Sequence, residues 1–119
     1  MRGLGELERE VMNVLWNSSS PRTVREVHSE LASGRAIAYT TVLTVLDNLH
    51  GKDWAERERR GRAWVYRPSR SREEAGAEAL RAVLASSGDP QGVLLHFARE
   101  MDRDASDFLR RVLDERDDR

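Results

Sequence analysis

No cysteine and only one lysine occur in the 119 residues of this chain, and 6% of the residues are aromatic. A chain without cysteine forms no disulfide, zinc finger, thiolate metal site or thiol redox sensor. Its three histidines, His28, His50 and His96, are too few and too scattered to suggest a metal site. The sequence therefore predicts neither a bound metal nor a cofactor.

Long apolar stretches are missing as well. No run approaches the ~20 residues that a helix needs to cross a bilayer, and the first residues, Met1–Glu6, lack the apolar core of a signal peptide. We therefore expect a cytoplasmic protein that does not insert into a membrane. The sequence also has no glycine-rich phosphate loop and no spaced Ser/His/Asp set, so we expect no catalytic residues and no enzyme activity.

The net charge of −1 conceals an asymmetry along the chain. Residues 1–68 carry 11 basic and 9 acidic side chains, whereas residues 69–119 carry 9 and 12. Between Arg57 and Arg70, six arginines are accompanied by a single acidic residue, Glu58. A solvated surface hairpin can be rich in charge, but an excess of six to one favours binding to phosphates.

The stretch Ala38–Leu49 is predicted to form a helix with two unlike faces. At 100° per residue, one arc is apolar and comprises Val42, Val45, Leu46 and Leu49. The opposite arc is short-chained and polar and comprises Thr40, Thr41, Thr44, Asp47 and Asn48. The β-branched residues would also suit a strand, but adjacent apolar pairs break the alternation that a strand requires. A polar face without Glu, Lys or Arg is typical of a surface that contacts another molecule.

Two shorter helices are predicted before this stretch. The first covers residues 5–16, where apolar side chains recur at helical spacing. The second starts after Thr23, which forms a Thr-x-x-Glu capping box with Glu26, and it stops near Ser33–Gly34. The helix over Ala38–Leu49 is then expected to end at His50–Gly51, with Gly51 in the left-handed C′ position.

A hairpin is predicted after the third helix. Its strands cover residues 54–59 and 62–67, and a turn at Arg60–Gly61 joins them. Three short helices followed by a basic hairpin are typical of a winged helix-turn-helix domain, which we place at residues 1–68. The predicted fold class is thus mainly α with a small β-hairpin.

In a winged helix-turn-helix domain, the third helix enters the major groove and the hairpin, or wing, lies on flanking phosphates. Thr hydroxyls and Asn amides hydrogen-bond to base edges, whereas arginines bind phosphates. We therefore expect double-stranded DNA as the partner. The predicted contacts are Tyr39, Thr40, Thr41, Thr44, Asn48, Arg22, Arg25, Arg60 and Arg62.

Asp47 suits this face least, because DNA phosphates repel a carboxylate. Two arrangements would remove the conflict: Asp47 accepts a hydrogen bond from a cytosine amino group, or it pairs with a nearby arginine. The three tryptophans, Trp16, Trp54 and Trp64, are expected to fill the small core rather than to stack on bases.

Residues 69–119 are predicted to form three helices: one over residues 70–86, a second that follows the break at Ser87–Pro90 and includes Val93 to Met101, and a third over residues 105–115, with a frayed end from Asp114. His96 is expected to be packed. About 50 residues make a small core on their own, so we expect a dimerisation module shared with a second copy of the chain. The predicted interface is apolar: Leu80, Val83, Leu84, Val93, Leu94, Phe97, Met101, Phe108, Leu109, Val112 and Leu113.

Several motifs resemble one known family. They are Leu7-Glu-x-x-Val-Met-x-x-Leu-Trp16, Thr23-Val-Arg-Glu-Val27, Ala38-Tyr-Thr-Thr-Val-x-Thr-Val-Leu46 and, more loosely, Val93-Leu-Leu-His-Phe97 and Leu109-Arg-Arg-Val-Leu113. The chain thereby resembles the penicillinase-repressor family (BlaI, MecI and CopY type), most densely from Leu4 to Pro68. The resemblance implies a homodimeric winged-helix repressor of palindromic operators. By position, Thr40, Thr41 and Thr44 would lie in the major groove, and Arg60 and Arg62 at the wing.

The resemblance also bears on how repression ends. In the antibiotic-responsive branch, a membrane sensor triggers proteolysis next to a phenylalanine. His96–Phe97 occupies that place as a candidate cleavage site, although the family typically has Asn before the cut. The copper-responsive branch holds metal in C-terminal Cys-x-Cys pairs, which this chain lacks.

Two other functions stay open at this point. A winged helix can bind a protein instead of DNA, and the modest charge of the N-terminal half is compatible with that. A regulator of this size can also respond to a small ligand at its dimer interface.

Overall fold

The computed structural model describes residues 4–118, which form two compact units, one up to Ala79 and one from Leu80. The elements are α1 (Glu6–Trp16), β1 (Arg22–Thr23), α2 (Val24–Ala32), α3 (Tyr39–Gly51), β2 (Ala55–Arg60), β3 (Ala63–Pro68), α4 (Arg72–Ser86), α5 (Pro90–Glu100) and α6 (Arg103–Asp117). The mainly α fold with a small β-hairpin is confirmed. The assignment of DNA binding to residues 1–68 and of dimerisation to residues 69–119 stays a prediction.

The core of the first unit is built from α1, α2, α3 and the sheet. From α3 it contains the whole predicted apolar arc: Val42, Val45, Leu46 and Leu49 are all buried. Trp54 is buried in this core, as predicted, whereas Trp16 and Trp64 are partly buried and pack against it. Because its apolar arc is buried, α3 presents the polar arc outward.

Side-chain hydrogen bonds cap the first two helices, the second of them at the capping box that the sequence predicts. The Glu8 carboxylate accepts a hydrogen bond from the Gly5 N–H at 2.9 Å. The Thr23 hydroxyl accepts from the Glu26 N–H at 3.1 Å, and the Glu26 carboxylate accepts from the Thr23 N–H at 2.9 Å, which confirms the capping box. A cap of this kind stabilises a helix by about 1 kcal/mol.

The C-terminal end of α3 differs from the prediction. Gly51 is still helical, and the left-handed residue is Asp53, with φ of 65°. The Asp53 N–H donates to the His50 carbonyl at 3.1 Å and the Trp54 N–H to the Leu49 carbonyl at 2.9 Å, which is the Schellman pattern. The placement of Gly51 at C′ is therefore wrong, because an aspartate also tolerates the left-handed conformation.

The sheet is antiparallel, with the strand order β1-β3-β2. The pattern of the sequence did not predict β1, since two residues carry no periodicity. Arg60 pairs with Ala63, so the loop of the wing is Gly61 and Arg62. Gly61 has φ of 62°, as the first central residue of a type II′ turn requires. The predicted turn is thus one residue too early, and Arg62 lies in the loop rather than in a strand.

The first turn of α4 belongs to the first unit. This helix begins two residues later than predicted, because Ser71 is its cap: the Ser71 hydroxyl accepts from the Glu74 N–H at 3.0 Å. The Trp16 indole N–H donates to the Arg70 carbonyl at 3.1 Å, and Ala75 is buried in the core. The start of α4 is therefore fixed to α1.

The junction between α5 and α6 also differs from the prediction. α5 ends at Glu100, because Met101 is extended, with φ of −63° and ψ of 141°. The Asp102 carboxylate then accepts from the Ala105 N–H at 2.8 Å and caps α6. Residues 114–117 continue α6, so the predicted fraying is wrong for them. Residue 119, also predicted to be frayed, lies outside the described residues.

None of the described residues from Leu80 onward is buried. Large apolar side chains are exposed along this unit: Leu80, Val83, Val93, Leu94, Leu95, Phe97, Phe108, Leu109, Val112 and Leu113. Leu84 and Met101 are half-buried. The His96 side chain is 78% exposed and lies 3.1 Å from the Glu100 carboxylate, so its expected packing is wrong within one chain.

Candidate nucleic-acid interface

The outward face of α3 is polar and accessible. All of its predicted contact residues are exposed: Tyr39, Thr40, Thr41, Thr44 and Asn48. The Thr44 hydroxyl donates to the Thr40 carbonyl at 3.0 Å, so its proton is used within the helix while its oxygen can still accept a hydrogen bond. Such a hydroxyl can accept from a base, and the methyl group can pack on a thymine.

A groove runs between the start of α2, the start of α3 and the loop of the wing. Its lining residues are Thr23, Val24, Arg25, Tyr39, Leu43, Arg62, Ala63 and Trp64. The side chains of Arg25 and Arg62 therefore lie on the same groove, and neither side chain forms an ion pair or a hydrogen bond with any residue between 4 and 118. Two cations without carboxylate partners can bind the phosphates of a DNA backbone without first breaking an ion pair.

Tyr39 is held at the edge of this groove by a neighbour on α2. The His28 ring lies edge-on to the Tyr39 ring, with centroids 5.8 Å apart. The Nε2 atom of His28 is 2.8 Å from the Ile37 carbonyl oxygen, so the His28 ring also fixes the segment that leads into α3. The Tyr39 side chain, 45% exposed, thus has a defined direction toward the groove.

The arginines of the wing are in three different environments. Arg57 and Arg59 stack on the Trp64 ring, with guanidinium carbons 4.4 and 5.2 Å from its centroid. Arg60 pairs with Glu58 at 3.1 Å, whereas Arg62 is unpaired among the described residues. Arg67 pairs with Glu56 at 3.3 Å and approaches Glu58 at 3.7 Å. The wing thus holds fewer free cations than its sequence suggests.

Asp47 pairs with an arginine, one of the two arrangements considered for it. Its Oδ1 accepts from Arg57 Nη1 at 3.0 Å and from the Tyr66 hydroxyl at 3.1 Å. Burial raises the pKa of Tyr66 above its ordinary value of 10.0, so the hydroxyl keeps its proton at neutral pH and remains a donor. The carboxylate on α3 is therefore balanced by a cation of the wing.

Of the two predicted contacts near the start of α2, Arg22 is less available to DNA than Arg25. The Arg22 guanidinium donates from Nε to the Ser18 hydroxyl at 2.8 Å, and Arg22 does not line the groove that contains Arg25.

Leu43 was not among the predicted contacts, although it lines the groove beside Tyr39. The sequence could have indicated this contact, because Leu43 is an apolar residue that lies outside the apolar arc of α3.

The described residues contain neither a metal site nor a membrane span. Between residues 4 and 118, no group of three or more His, Asp or Glu side chains gathers as metal ligands. Over the same residues, no helix has both the length and the hydropathy needed to cross a bilayer.

The chain matches the penicillinase repressor family over residues 4–115. The transcriptional regulators BlaI of two Mycobacterium tuberculosis strains, CDC 1551 / Oshkosh and ATCC 25618 / H37Rv, are each 44% identical to it over 115 residues, which cover 94% of this chain and 83% of each relative. Both relatives are transcriptional regulators.

Two solved structures are similar to the chain. The solution structure of monomeric Bacillus licheniformis BlaI in complex with the blaP half-operator has a TM-score of 0.52 at 30% identity and covers 61% of this chain and 88% of that chain. The ferric uptake regulator of Francisella tularensis, with iron, has a TM-score of 0.51 at 18% identity and covers 74% and 82%; it is similar in fold alone. Together with the match over residues 4–115, the 44% identity means that the chain belongs to the penicillinase-repressor family of winged-helix, DNA-binding transcriptional regulators.

Proposed function

We propose that the chain is a cytoplasmic repressor that binds an inverted-repeat operator as a homodimer. In this proposal α3 lies in the major groove, and the wing lies on the flanking phosphates. One observation carries the proposal: the exposed, hydroxyl-rich face of α3 adjoins a groove that contains two arginines, Arg25 and Arg62, without carboxylate partners among the described residues.

The two parts of this surface have different tasks. The short side chains of α3, Thr40, Thr41, Thr44 and Asn48, allow a close approach to base edges and can donate or accept hydrogen bonds there. Arg25 and Arg62 supply the attraction to phosphates, which is independent of sequence and falls as salt rises. Because α3 has no cation on this face, most of the affinity comes from the wing, from α2 and from the second subunit.

The C-terminal unit supports the homodimer in this proposal. Ten large apolar side chains are exposed between Leu80 and Leu113, and none of the described residues from Leu80 onward is buried. Apolar surface buried between two subunits contributes about 25 cal/mol per Å². A monomer would leave all of this surface in water, whereas a second copy would cover it and hold two α3 helices at the spacing of two half-sites.

Footprinting on the promoter region of the chain's own gene tests the proposal. We expect protection of two half-sites arranged as an inverted repeat, and an affinity that falls steeply between low and physiological salt. The absence of protection at low salt would contradict DNA binding. A single protected half-site would contradict the dimeric arrangement alone.

Relief of repression by proteolysis is a further part of the proposal. The His96–Phe97 bond lies within α5, and both side chains are exposed in the single chain. Cleavage there would cut the apolar C-terminal unit and so lower the affinity of the dimer for its operator. A sensor protease pathway at the membrane would supply the cut. Mass spectrometry of the chain recovered from induced cells should give two fragments that meet at residues 96–97, whereas an intact chain would contradict this part.

A further inference from the structure

Asp47 lies where α3 meets both strands of the wing. Arg57 on β2 and Tyr66 on β3 are directly paired across the strands. Both donate to the same carboxylate oxygen of Asp47, at 3.0 and 3.1 Å. Because the two donors come from different strands, this single carboxylate holds the hairpin against the helix.

Arg57 is the least accessible of the ion-paired arginines in the wing. Its guanidinium is held by Asp47 on one side and stacks on the Trp64 ring at 4.4 Å on the other. The Arg57 side chain is 28% exposed, compared with 58% for Arg60. A phosphate that bound Arg57 would have to compete with the Asp47 carboxylate for this partly buried guanidinium.

The charge of Asp47 needs this partner. Its side chain is 51% exposed and lies on the polar face of α3, next to Asn48 in the chain. A carboxylate without a counter-charge would repel an approaching phosphate backbone, and such like-charge contacts are costly. The ion pair with Arg57 makes this part of the surface locally neutral.

We propose that Asp47 is a positioning residue that sets the wing relative to α3, and that Arg57 is its counter-charge rather than a phosphate anchor. The inference rests on the proposed function, in which α3 and the wing bind the same DNA. Asp47 itself then contacts no base. It acts through the hairpin whose loop carries Arg62.

The test is a set of four proteins titrated with a duplex that carries the footprinted site, over a range of salt concentrations. They are the unaltered chain, Arg57→Gln, Asp47→Asn and the double variant. Arg57→Gln leaves Asp47 unbalanced, so we expect an affinity about tenfold lower, since contacting residues couple strongly. Asp47→Asn in the same chain removes the unbalanced charge and should restore the affinity to within about threefold.

The salt dependence separates a counter-charge from a phosphate anchor. Loss of an anchor flattens the slope of log affinity against log salt by about one. For Arg57→Gln we expect no such change. For Asp47→Asn we expect a slope steeper by about one, because the released Arg57 becomes free to bind a phosphate. Loss of stability alone would alter neither slope.

Arg60→Gln is the matched control, because Arg60 pairs with Glu58 on its own strand and not with α3. Adding Asp47→Asn to the Arg60→Gln variant should not restore the affinity of that variant for DNA. Thermal unfolding of every variant identifies any that fails to fold. Tyr66→Phe, which keeps all charges, should weaken binding in the unaltered chain, because it removes one of the two donors to Asp47.

Two results would overturn the inference. One is a slope flattened by about one in Arg57→Gln, which would make Arg57 an anchor. The other is a loss of preference at a single base pair in Asp47→Asn, which would make Asp47 a reader of cytosine. If the unaltered chain binds no DNA, the proposed function itself fails, and that result is distinct from both.

Discussion

Thr44 is the residue whose role depends most on the orientation of α3. Its hydroxyl donates to the Thr40 carbonyl, so the remaining lone pairs and the methyl group are available to a base. A specific contact to a base edge is typically worth ~1–3 kcal/mol. We therefore expect Thr44→Ala to lower operator affinity about tenfold and to leave binding to unrelated DNA unchanged.

Fluorescence anisotropy with operator and unrelated duplexes measures this difference. Ser33→Ala is the control, because the Ser33 hydroxyl also donates to a helix carbonyl, that of Glu30, but lies outside the predicted interface. Equal operator affinities for Thr44→Ala and the unaltered chain would show that α3 does not read bases through this residue.

Arg62 should act on all DNA alike. It lies in the loop of the wing and has no partner among the described residues, so its whole charge is available to a phosphate. Arg62→Ala is expected to weaken operator and unrelated DNA by a similar factor and to reduce the salt slope by about one. Arg110→Ala, which removes an exposed arginine of α6, is the control. A change confined to the operator would instead mark Arg62 as a base contact.

Single residues differ in how far their surroundings can be predicted. The faces of α3 follow from a period of 3.6, so Val42 and Thr44 could be assigned to opposite sides without a structure. The partners of Asp47 could not, because Arg57 and Tyr66 lie 10 and 19 residues away in the chain. Which of several arginines reaches a carboxylate depends on strand register, because a shift of one residue would move every side chain of the strand to the other face of the sheet.

At the scale of elements, Glu8 connects two helices. Its carboxylate caps α1 through the Gly5 N–H and also accepts from Lys52, the C-cap residue of α3, at 2.8 Å. The Lys52 hydrogen bond, followed by that of Gly5, holds the pKa of Glu8 below its ordinary value of 4.5. The cap hydrogen bonds from Thr23 lower the pKa of Glu26 in the same way.

These lowered pKa values predict how stability depends on pH. A folded-state pKa below the unfolded value contributes stability that is fully present above the unfolded value and is lost as pH falls through the folded one. The free energy of unfolding should therefore be nearly constant from neutral pH to about 5 and then decline. The Glu8→Gln variant should be less stable than the unaltered chain at pH 7, and its free energy of unfolding should fall less steeply below about pH 5.

Urea unfolding at a series of pH values measures both effects. Glu6→Gln, in the same helical turn, is the control, because Glu6 has no ion pair with any residue that the structure describes. If Glu8→Gln declined with acid as steeply as the unaltered chain, Glu8 would not be a source of this dependence.

The ends of the elements were the least predictable feature of the fold. The Thr23 capping box is local in sequence and was predicted correctly. The Schellman motif of α3 was missed, because glycine is the usual left-handed residue and Asp53 takes its place. β1 was missed because it forms only where Arg22 and Thr23 meet β3, a contact distant in sequence.

At the scale of the whole molecule, the exposed apolar residues of the C-terminal unit predict self-association. Phe108 is 60% exposed, so Phe108→Glu removes little from the single chain. It would, however, place a charge in the proposed interface. We expect a monomer by light scattering and an operator affinity at least tenfold lower, because each half-site is then bound separately. Arg110→Glu introduces the same residue on α6 and should remain dimeric; a dimeric Phe108→Glu would contradict the proposed interface.

Selection from a pool of random duplex DNA tests the central claim most directly, because it assumes neither a promoter nor an inducer. The proposed dimer, with one α3 helix for each half-site, should enrich an inverted repeat whose half-sites lie about 10 base pairs apart, or a multiple of that spacing. The claim that the polar face of α3 reads an operator would be contradicted if no sequence were enriched above the starting pool.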